Sequence, residues 1–282
     1  MRSRPHIGAI HGPVLIAVAW ALPLAAAANA SGDPSTPPVF VLTLLIFFAA
    51  ALYSSVGHGG ASGYLAAMVL VGMAPDSMKP TALSLNILVS GIATVRFALA
   101  GAFSWSVFWP FALTAIPFAY AGGLIAAPGY LYKPLVGAVL WYSAWYALRS
   151  APAAGATVYM PPRYGVAFPF GAGLGFLSGL TGVGGGIFLS PLMLLNRWAE
   201  PRTISGVAAP FIFVNSIAGL AGVFAHQVTL PPALPWWMGA ALLGGIIGSE
   251  IGSRRLDRAN ILRVLALVLV VAGFKMILSA WQ

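Results

Sequence analysis

Two glycine-rich stretches contain the residues best placed to bind a ligand. "SSVGHGGASGYLA" occupies residues 54–66 and "GLTGVGGGIFLSP" occupies residues 179–191, each between apolar segments. A glycine inside a helix costs about 1 kcal/mol relative to alanine, so both stretches predict a break in an apolar helix. A break exposes backbone N–H groups at a helix N-terminus, where they bind anions, and glycine lets a ligand approach the backbone closely. The candidate residues are Gly57, Gly59, Gly60, Gly182, Gly184, Gly185 and Gly186.

Close helix packing is the alternative explanation for glycines in apolar segments. We favour this explanation for Gly244, Gly248 and Gly252, which follow one another at intervals of four on one helix face. For the two breaks we favour anion binding.

Two ionisable side chains in or near the apolar segments could take part in binding. Arg96 lies within "GIATVRFALAGAF", and an arginine at the centre of a membrane helix costs at least about 2.5 kcal/mol. It is either a charge partner for an anion or a side chain that extends to the membrane surface. His58 lies in the first break, and its ordinary pKa of about 6.5 suits proton coupling or a donor role. A structural hydrogen bond explains His58 equally well.

Several hydroxyl and amide side chains could bind ligand oxygens. We rank Ser90 and Ser216 first, because both lie in the segment that follows a break. Each of these side chains could instead contact a neighbouring helix. The full set is Ser62, Asn86, Ser90, Thr181, Asn215 and Ser216.

The composition indicates where these residues are held. The chain is 60% hydrophobic and only 7% charged, whereas soluble domains are about 25% charged. Long apolar runs recur throughout, so we predict an all-α polytopic protein of the lipid bilayer. The net charge of +9 comes from residues in short loops, which indicates topology and not a nucleic-acid partner. The chain has no cysteine and its four histidines are scattered, so we expect no cofactor and no metal.

The N-terminal segment has two interpretations. Arg2 and Arg4 precede an apolar run and a small-residue site, so residues 1–30 form a cleavable signal peptide or a first transmembrane helix. Residues 31–38 would then be an extracytoplasmic linker.

The remaining chain divides into two groups of five apolar segments. Repeat 1 is predicted at 39–149 and repeat 2 at 164–282, with a linker at 150–163. Each repeat would contain a glycine-broken helix or helix hairpin followed by three transmembrane helices. Repeats with interrupted helices at equivalent positions are typical of secondary transporters. A straight broken crossing gives parallel halves and a hairpin gives inverted halves. The loop charges fit both, and we favour inverted halves.

The motifs resemble a known family. "VGHGGASGYLAAMVLVGMAPDSMKPTALSLNILVSG" is similar to the first-half signature of the TauE/SafE sulfite exporter family, and "GFLSGLTGVGGGIFLSPLMLL" with "RTISGVAAPFIFVNSIAG" is similar to the second-half signature. The resemblance covers about residues 40 to 280. It implies a bacterial inner-membrane permease for small anions such as sulfite, sulfonates and sulfoacetate-like compounds. His58 and "GASG" depart from the glycine run of the second copy, which puts the preferred anion in doubt.

We therefore predict a secondary transporter, not an enzyme, for a small anion bound between the two breaks near the membrane midplane. No ATP-binding signature is present, so the energy would come from a gradient of substrate or of a coupling ion such as a proton or sodium, or from a partner subunit. Two other functions fit parts of the sequence. "GASG" at 60–63 has the G-x-S-G pattern of an intramembrane serine hydrolase with Ser62 as nucleophile, and a passive anion channel would also use two breaks. The substrate, the direction of transport and the oligomeric state do not follow from the sequence.

Overall fold

The chain folds into α-helices joined by short loops. A computed structural model describes residues 39–55, 59–149, 159–226, 228, 230–252 and 258–278, and its regular elements there are all helices. They are α1 (Val39–Ser55), α2 (Ala61–Leu70), α3 (Pro75–Leu99), α4 (Trp105–Leu124), α5 (Gly129–Arg149), α6 (Tyr164–Thr181), α7 (Gly186–Leu195), α8 (Pro201–Phe224), α9 (Leu234–Gly252) and α10 (Arg258–Leu278). Residues 1–38, on which the signal-peptide prediction rests, lie outside the described residues.

The helix bounds follow the apolar segments closely, except that α3 and α5 begin several residues before their apolar runs. The apolar run of α3 begins near residue 80, but the helix begins at Pro75 and takes in Asp76 and Lys79. Proline suits the first helical position because its missing N–H has no partner there, and an acidic first turn complements the helix dipole. Among the described residues, α3, α4 and α8 combine the length and hydropathy needed to span a membrane.

The helix lengths repeat in order. The first five helices have 17, 10, 25, 20 and 21 residues, and the second five have 18, 10, 24, 19 and 21. Each ten-residue helix follows a glycine break. This confirms the predicted order of long and short segments, while gene duplication stays a prediction.

Each glycine break turns the chain back on itself. A Cβ built on Gly63, in the first turn of α2, would lie 3.0 Å from the Cβ of Ala49, well before the end of α1. A Cβ on Gly185 would lie 3.3 Å from the Cβ of Ser178 in α6. The N–H of Met160 donates to the carbonyl of Arg197 at 3.1 Å, which joins the entry and exit of the second hairpin. Both breaks are therefore the tips of helix hairpins, and the straight broken crossing is wrong.

The third helices of the two series, α3 and α8, run antiparallel. Leu83 near the start of α3 contacts Gly219 near the end of α8, and Gly91 lies against Phe213. Just after α3, the carbonyl of Ala100 accepts a hydrogen bond from Arg202 at the start of α8. Opposite directions of these two helices fit the inverted halves that we favour, and the repeat itself stays a prediction.

Helices of the first series pack closely on helices of the second, with direct backbone contacts. Helix α4 of the first series packs on α6 of the second, and α1 of the first packs on α9 of the second. Gly244 and Gly248 lie directly against the carbonyls of Phe47 and Ala51, with no room for a side chain. Their predicted packing role is confirmed, because small residues allow membrane helices to approach closely.

Basic side chains cap the C-termini of α4 and α2. Lys79 Nζ donates to the carbonyls of Gly122, Gly123 and Ile125 at 3.3, 3.0 and 3.0 Å. His226 contacts the carbonyl of Leu124, the last residue of α4. Lys275 donates to the carbonyl of Leu70, the last residue of α2, at 2.8 Å. Carbonyls without intrahelical partners thus gain donors, and the positive charges complement the helix dipoles.

Candidate functional site

The two hairpin tips meet on the same two side chains. A Cβ on Gly59 would lie 3.1 Å from Ile212 Cγ2 and 3.5 Å from Asn86 Oδ1. A Cβ on Gly184 would lie 2.8 Å from Ile212 Cγ2 and 2.9 Å from Asn86 Nδ2. Asn86 of α3 and Ile212 of α8 therefore lie between the tips. We call Gly59, Gly184, Asn86, Ile212 and Ser216 the hairpin junction.

Each hairpin brings a helix N-terminus close to the junction. The cap residues are Gly60 of α2, with φ 90°, and Gly185 of α7, with φ 77°. These left-handed conformations favour glycine, which explains the residue type at both caps. Neither cap makes a side-chain hydrogen bond. Within the described part of the chain, the N–H groups of Gly184 and Gly185 also have no hydrogen-bond partner. Such groups are available to an anion.

The junction also contains buried polar atoms without partners. Asn86 and Ser216 are fully buried. Both amide atoms of Asn86 and the hydroxyl of Ser216 lack hydrogen bonds among the described residues. Ser216 Oγ would lie 3.2 Å from a Cβ on Gly184, so it faces the same space as Asn86. A buried polar group without a partner costs about 1–3 kcal/mol, so this cluster is a candidate ligand site.

The space between the tips is small. A cavity of about 10 Å³ is lined by Tyr53, Gly60 and Ser62 of the first hairpin, Val183 and Ile187 of the second, and Ile212. This volume holds about one water molecule. The space that these described residues enclose is therefore smaller than a polyatomic anion.

The structure brings some of the predicted residues together and separates others. Ser90 donates to the carbonyl of Asn86, and Thr181 donates to the carbonyl of Leu177 at 2.6 Å, so both hydroxyls bond within their own helices. Gly182, with φ 82°, lies against the backbone of Lys79. Asn215 is buried and donates to the carbonyl of Phe211 at 2.8 Å, while its Oδ1 has no partner among the described residues. Gly186 faces Ile212. Gly57 and His58 lie outside the described residues.

Arg96 lies away from the junction. It occupies the last turn of α3, ten residues beyond Asn86, which corresponds to about 15 Å along the helix. It is half-buried. Its roles as a charge partner or as a surface-directed side chain both stay predictions.

Sequence reasoning ranked Asn86 below Ser90, although Asn86 occupies the junction. The two residues lie four positions apart on one face of α3, so position on the helix does not distinguish them. The useful signal was chemical. A serine in a helix can satisfy its hydroxyl with the carbonyl four residues earlier, whereas the amide of Asn86 has a donor and an acceptor to satisfy.

The comparisons with known proteins agree with this architecture. The family model described as Sulfite exporter TauE/SafE matches residues 42–276, most of the chain. The chain belongs to the TauE/SafE family. The "Probable membrane transporter protein y4hK" of Sinorhizobium fredii (strain NBRC 101917 / NGR234) is 40% identical over 239 residues, which is 84% of this chain and 97% of the relative. The "Probable membrane transporter protein YunE" of Bacillus subtilis (strain 168) is 31% identical over 105 residues, 37% of this chain and 38% of that protein. No solved structure matches the chain significantly.

Membership of the TauE/SafE family makes the chain a membrane transporter and not an enzyme. The geometry around Ser62 agrees with this class. Its Oγ lies 2.5 Å from the hydroxyl of Tyr53, so it already has a hydrogen-bond partner. His226, which could act as a base, instead contacts the end of α4.

Proposed function

We propose that this TauE/SafE protein is a secondary transporter for a small anion, a sulfur oxyanion, a sulfonate or a related organic acid, which binds at the hairpin junction. The observation that carries the proposal is the meeting of two hairpin tips on a buried asparagine and serine without partners. An anion would accept hydrogen bonds from Asn86 Nδ2, Ser216 Oγ and the N–H groups of Gly184 and Gly185.

The sign of the local potential favours an anion. Each helix N-terminus carries about half a positive charge, and α2 and α7 both begin beside the junction. The residues that form the junction include no carboxylate. In a low-dielectric interior, two positive helix ends would oppose binding of a cation and stabilise a single negative charge.

The arrangement supports a carrier in preference to a channel. In the inverted arrangement that we favour, the hairpins enter from opposite ends of the bundle. The cavity among the described residues is smaller than a polyatomic anion, so substrate would pass when one hairpin moves while the other stays in place. Alternating access by rigid-body movement of one repeat against the other is the usual mechanism of transporters with inverted repeats.

The basic residues give the orientation of the proposed transporter. Arg163, Arg197 and Arg202 lie at the end of the bundle where the second hairpin enters, and Lys79 and Lys133 lie at the other end. Arginine and lysine are more frequent in cytoplasmic loops, so the second hairpin would enter from the cytoplasm and the chain would end outside. A bacterial inner membrane and a proton or sodium gradient complete the proposal.

Uptake of labelled sulfite into proteoliposomes tests this function. We expect saturable uptake that depends on an ion gradient. Gly59→Val should abolish uptake, because a Cβ there already lies 3.1 Å from Ile212 and larger groups would fill the junction. Gly248→Val is the matched control. It removes a packing glycine between α1 and α9, so thermal stability should fall while sulfite affinity of the folded fraction stays unchanged.

The uptake results distinguish a carrier from a channel and test the binding site. Uptake that rises linearly with concentration would favour a channel. Normal uptake by Gly59→Val would mean that the junction does not bind the substrate.

A further inference from the structure

The carboxamide of Asn86 constrains the chemistry of the substrate beyond its charge. An asparagine side chain always presents one NH₂ donor group and one oxygen acceptor, whichever way the amide is turned. In the described structure neither atom has a hydrogen-bond partner, and the residue is fully buried. An anion with only acceptor oxygens satisfies the NH₂ group and leaves the amide oxygen unsatisfied. The same ligand would therefore retain part of the desolvation cost at Asn86.

Among the described residues, those on the Oδ1 side of Asn86 do not supply the missing donor. Gly59, on the Oδ1 side of Asn86, has no side chain, and Ile212 is apolar. The carbonyl of Asn86 already accepts the hydroxyl of Ser90, which therefore is not directed at the amide oxygen. A cation could bind an amide oxygen, but the N-termini of α2 and α7 oppose positive charge at this position. With none of these described groups placed to donate to Oδ1, a substrate that carries a donor would satisfy it.

We propose that the hairpin junction selects anions that carry an uncharged hydrogen-bond donor of their own: a singly protonated oxyanion, or a sulfonate with a hydroxyl group. This inference rests on the proposed function and narrows its substrate class. Asn86 acts as a specificity-determining residue, with its NH₂ group on the anionic oxygens and its oxygen on the donor.

A pair of sulfonates of equal charge tests the proposal. Ethanesulfonate has only acceptor oxygens, and 2-hydroxyethanesulfonate adds one hydroxyl. Isothermal titration of each compound into the purified full-length protein gives the two dissociation constants. A site built to bind a polar group discriminates strongly against the analogue that lacks it. We expect 2-hydroxyethanesulfonate to bind at least about tenfold more tightly, which corresponds to about 1.4 kcal/mol.

Asn86→Leu removes both amide atoms with little change in volume. In this variant the two sulfonates should bind within about twofold of each other, both more weakly than to the parent. Asn196→Leu is the matched control, because Asn196 is an exposed asparagine at the end of α7 and its variant should keep the parental preference. The pH dependence of sulfite binding is an independent test that needs no variant. Its affinity for the parent should fall as pH rises through its second ionisation, while that of ethanesulfonate stays constant.

The outcomes distinguish this inference from the proposed function. Equal binding of the two sulfonates by the parent would overturn the donor requirement and leave the anion site intact. A preference retained by Asn86→Leu, or one that sodium chloride abolishes relative to choline chloride, would also overturn it. The first result would show that Asn86 does not accept a hydrogen bond from the substrate's donor. The second would show that a cation binds the amide oxygen of Asn86. Failure of sulfite and both sulfonates to bind would refute the proposed function and the inference together.

Discussion

Replacement of Gly184 by alanine adds a single methyl group at the hairpin junction, and its cost can be estimated from the structure. Gly184 has φ 82°, a left-handed conformation that costs an L-residue about 1–2 kcal/mol. The new Cβ would lie 2.8 Å from Ile212 Cγ2, 2.9 Å from Asn86 Nδ2 and 3.2 Å from Ser216 Oγ. Overpacking of this kind costs about 1–3 kcal/mol more. We therefore expect Gly184→Ala to lower the free energy of unfolding by about 2–5 kcal/mol.

The same methyl group should weaken substrate binding more than strain alone could. It occupies space between the donors of Asn86 and Ser216, so we expect a loss of sulfite affinity of at least about tenfold, or 1.4 kcal/mol. Gly72→Ala is the control for strain, because Gly72 has φ 76° and no atom within 4 Å of the added Cβ. It should lose about 1–2 kcal/mol of stability and keep the parental affinity.

Thermal unfolding in detergent and isothermal titration with sulfite measure the two effects on the same samples. The reasoning fails if Gly184→Ala binds sulfite with the parental dissociation constant, or if Gly72→Ala loses affinity to the same extent. The first result would remove Gly184 from the site, and the second would attribute the binding loss to general strain.

Three further predictions concern the orientation and the charged residues. A C-terminal alkaline phosphatase fusion should be active and the same enzyme inserted within 150–163 inactive, since the inverted halves place these points on opposite faces; the reverse pattern would invert the orientation. Lys79→Met should lower the melting temperature, because it leaves three carbonyls at the end of α4 without their donor at about 1–3 kcal/mol each before water compensates, and an unchanged melting temperature would show that the cap contributes nothing. Arg96→Gln should retain equilibrium binding of sulfite in detergent, because about 15 Å of helix separates Arg96 from Asn86; loss of binding in a well-folded sample would instead make Arg96 a charge partner of the substrate.

The sequence predicted the helices well because apolar length and glycine content are local properties. The ten segments and both breaks could be located from hydropathy, and the hairpin at "GLTGVGGGIFLSP" lies where its glycines are densest. The direction of the chain after each break could not be predicted, because a left-handed glycine such as Gly185 permits a turn without specifying which neighbour the next helix packs on. That neighbour is set by distant contacts, for example between Gly185 and Phe211.

The candidate site was predictable only in part for the same reason. Gly59 and Gly184 could be selected because an internal repeat relates them. Asn86 became prominent only when the fold placed it against both glycines, and Ser90 lost importance when its hydroxyl was found on the carbonyl of Asn86. Which partner a polar side chain finds in a membrane helix depends on the helices that surround it.

The packing of first-series helices on second-series helices affects the order in which contacts form during synthesis. Helix α1 is synthesised first among the described helices, yet its main partner, α9, is the last but one. The glycines that fit α1, Gly244 and Gly248, therefore reach the membrane after nearly all the chain has been inserted. Contacts between distant segments form slowly, and chains that wait for them expose unpaired surfaces. The first hairpin must thus remain in the bilayer without its final partner during synthesis. A chain that ends before residue 234 would contain the whole first half but lack α9, the helix that packs on α1. Expression of residues 1–155 and 156–282 as separate chains should give function only when both are present in the same cell.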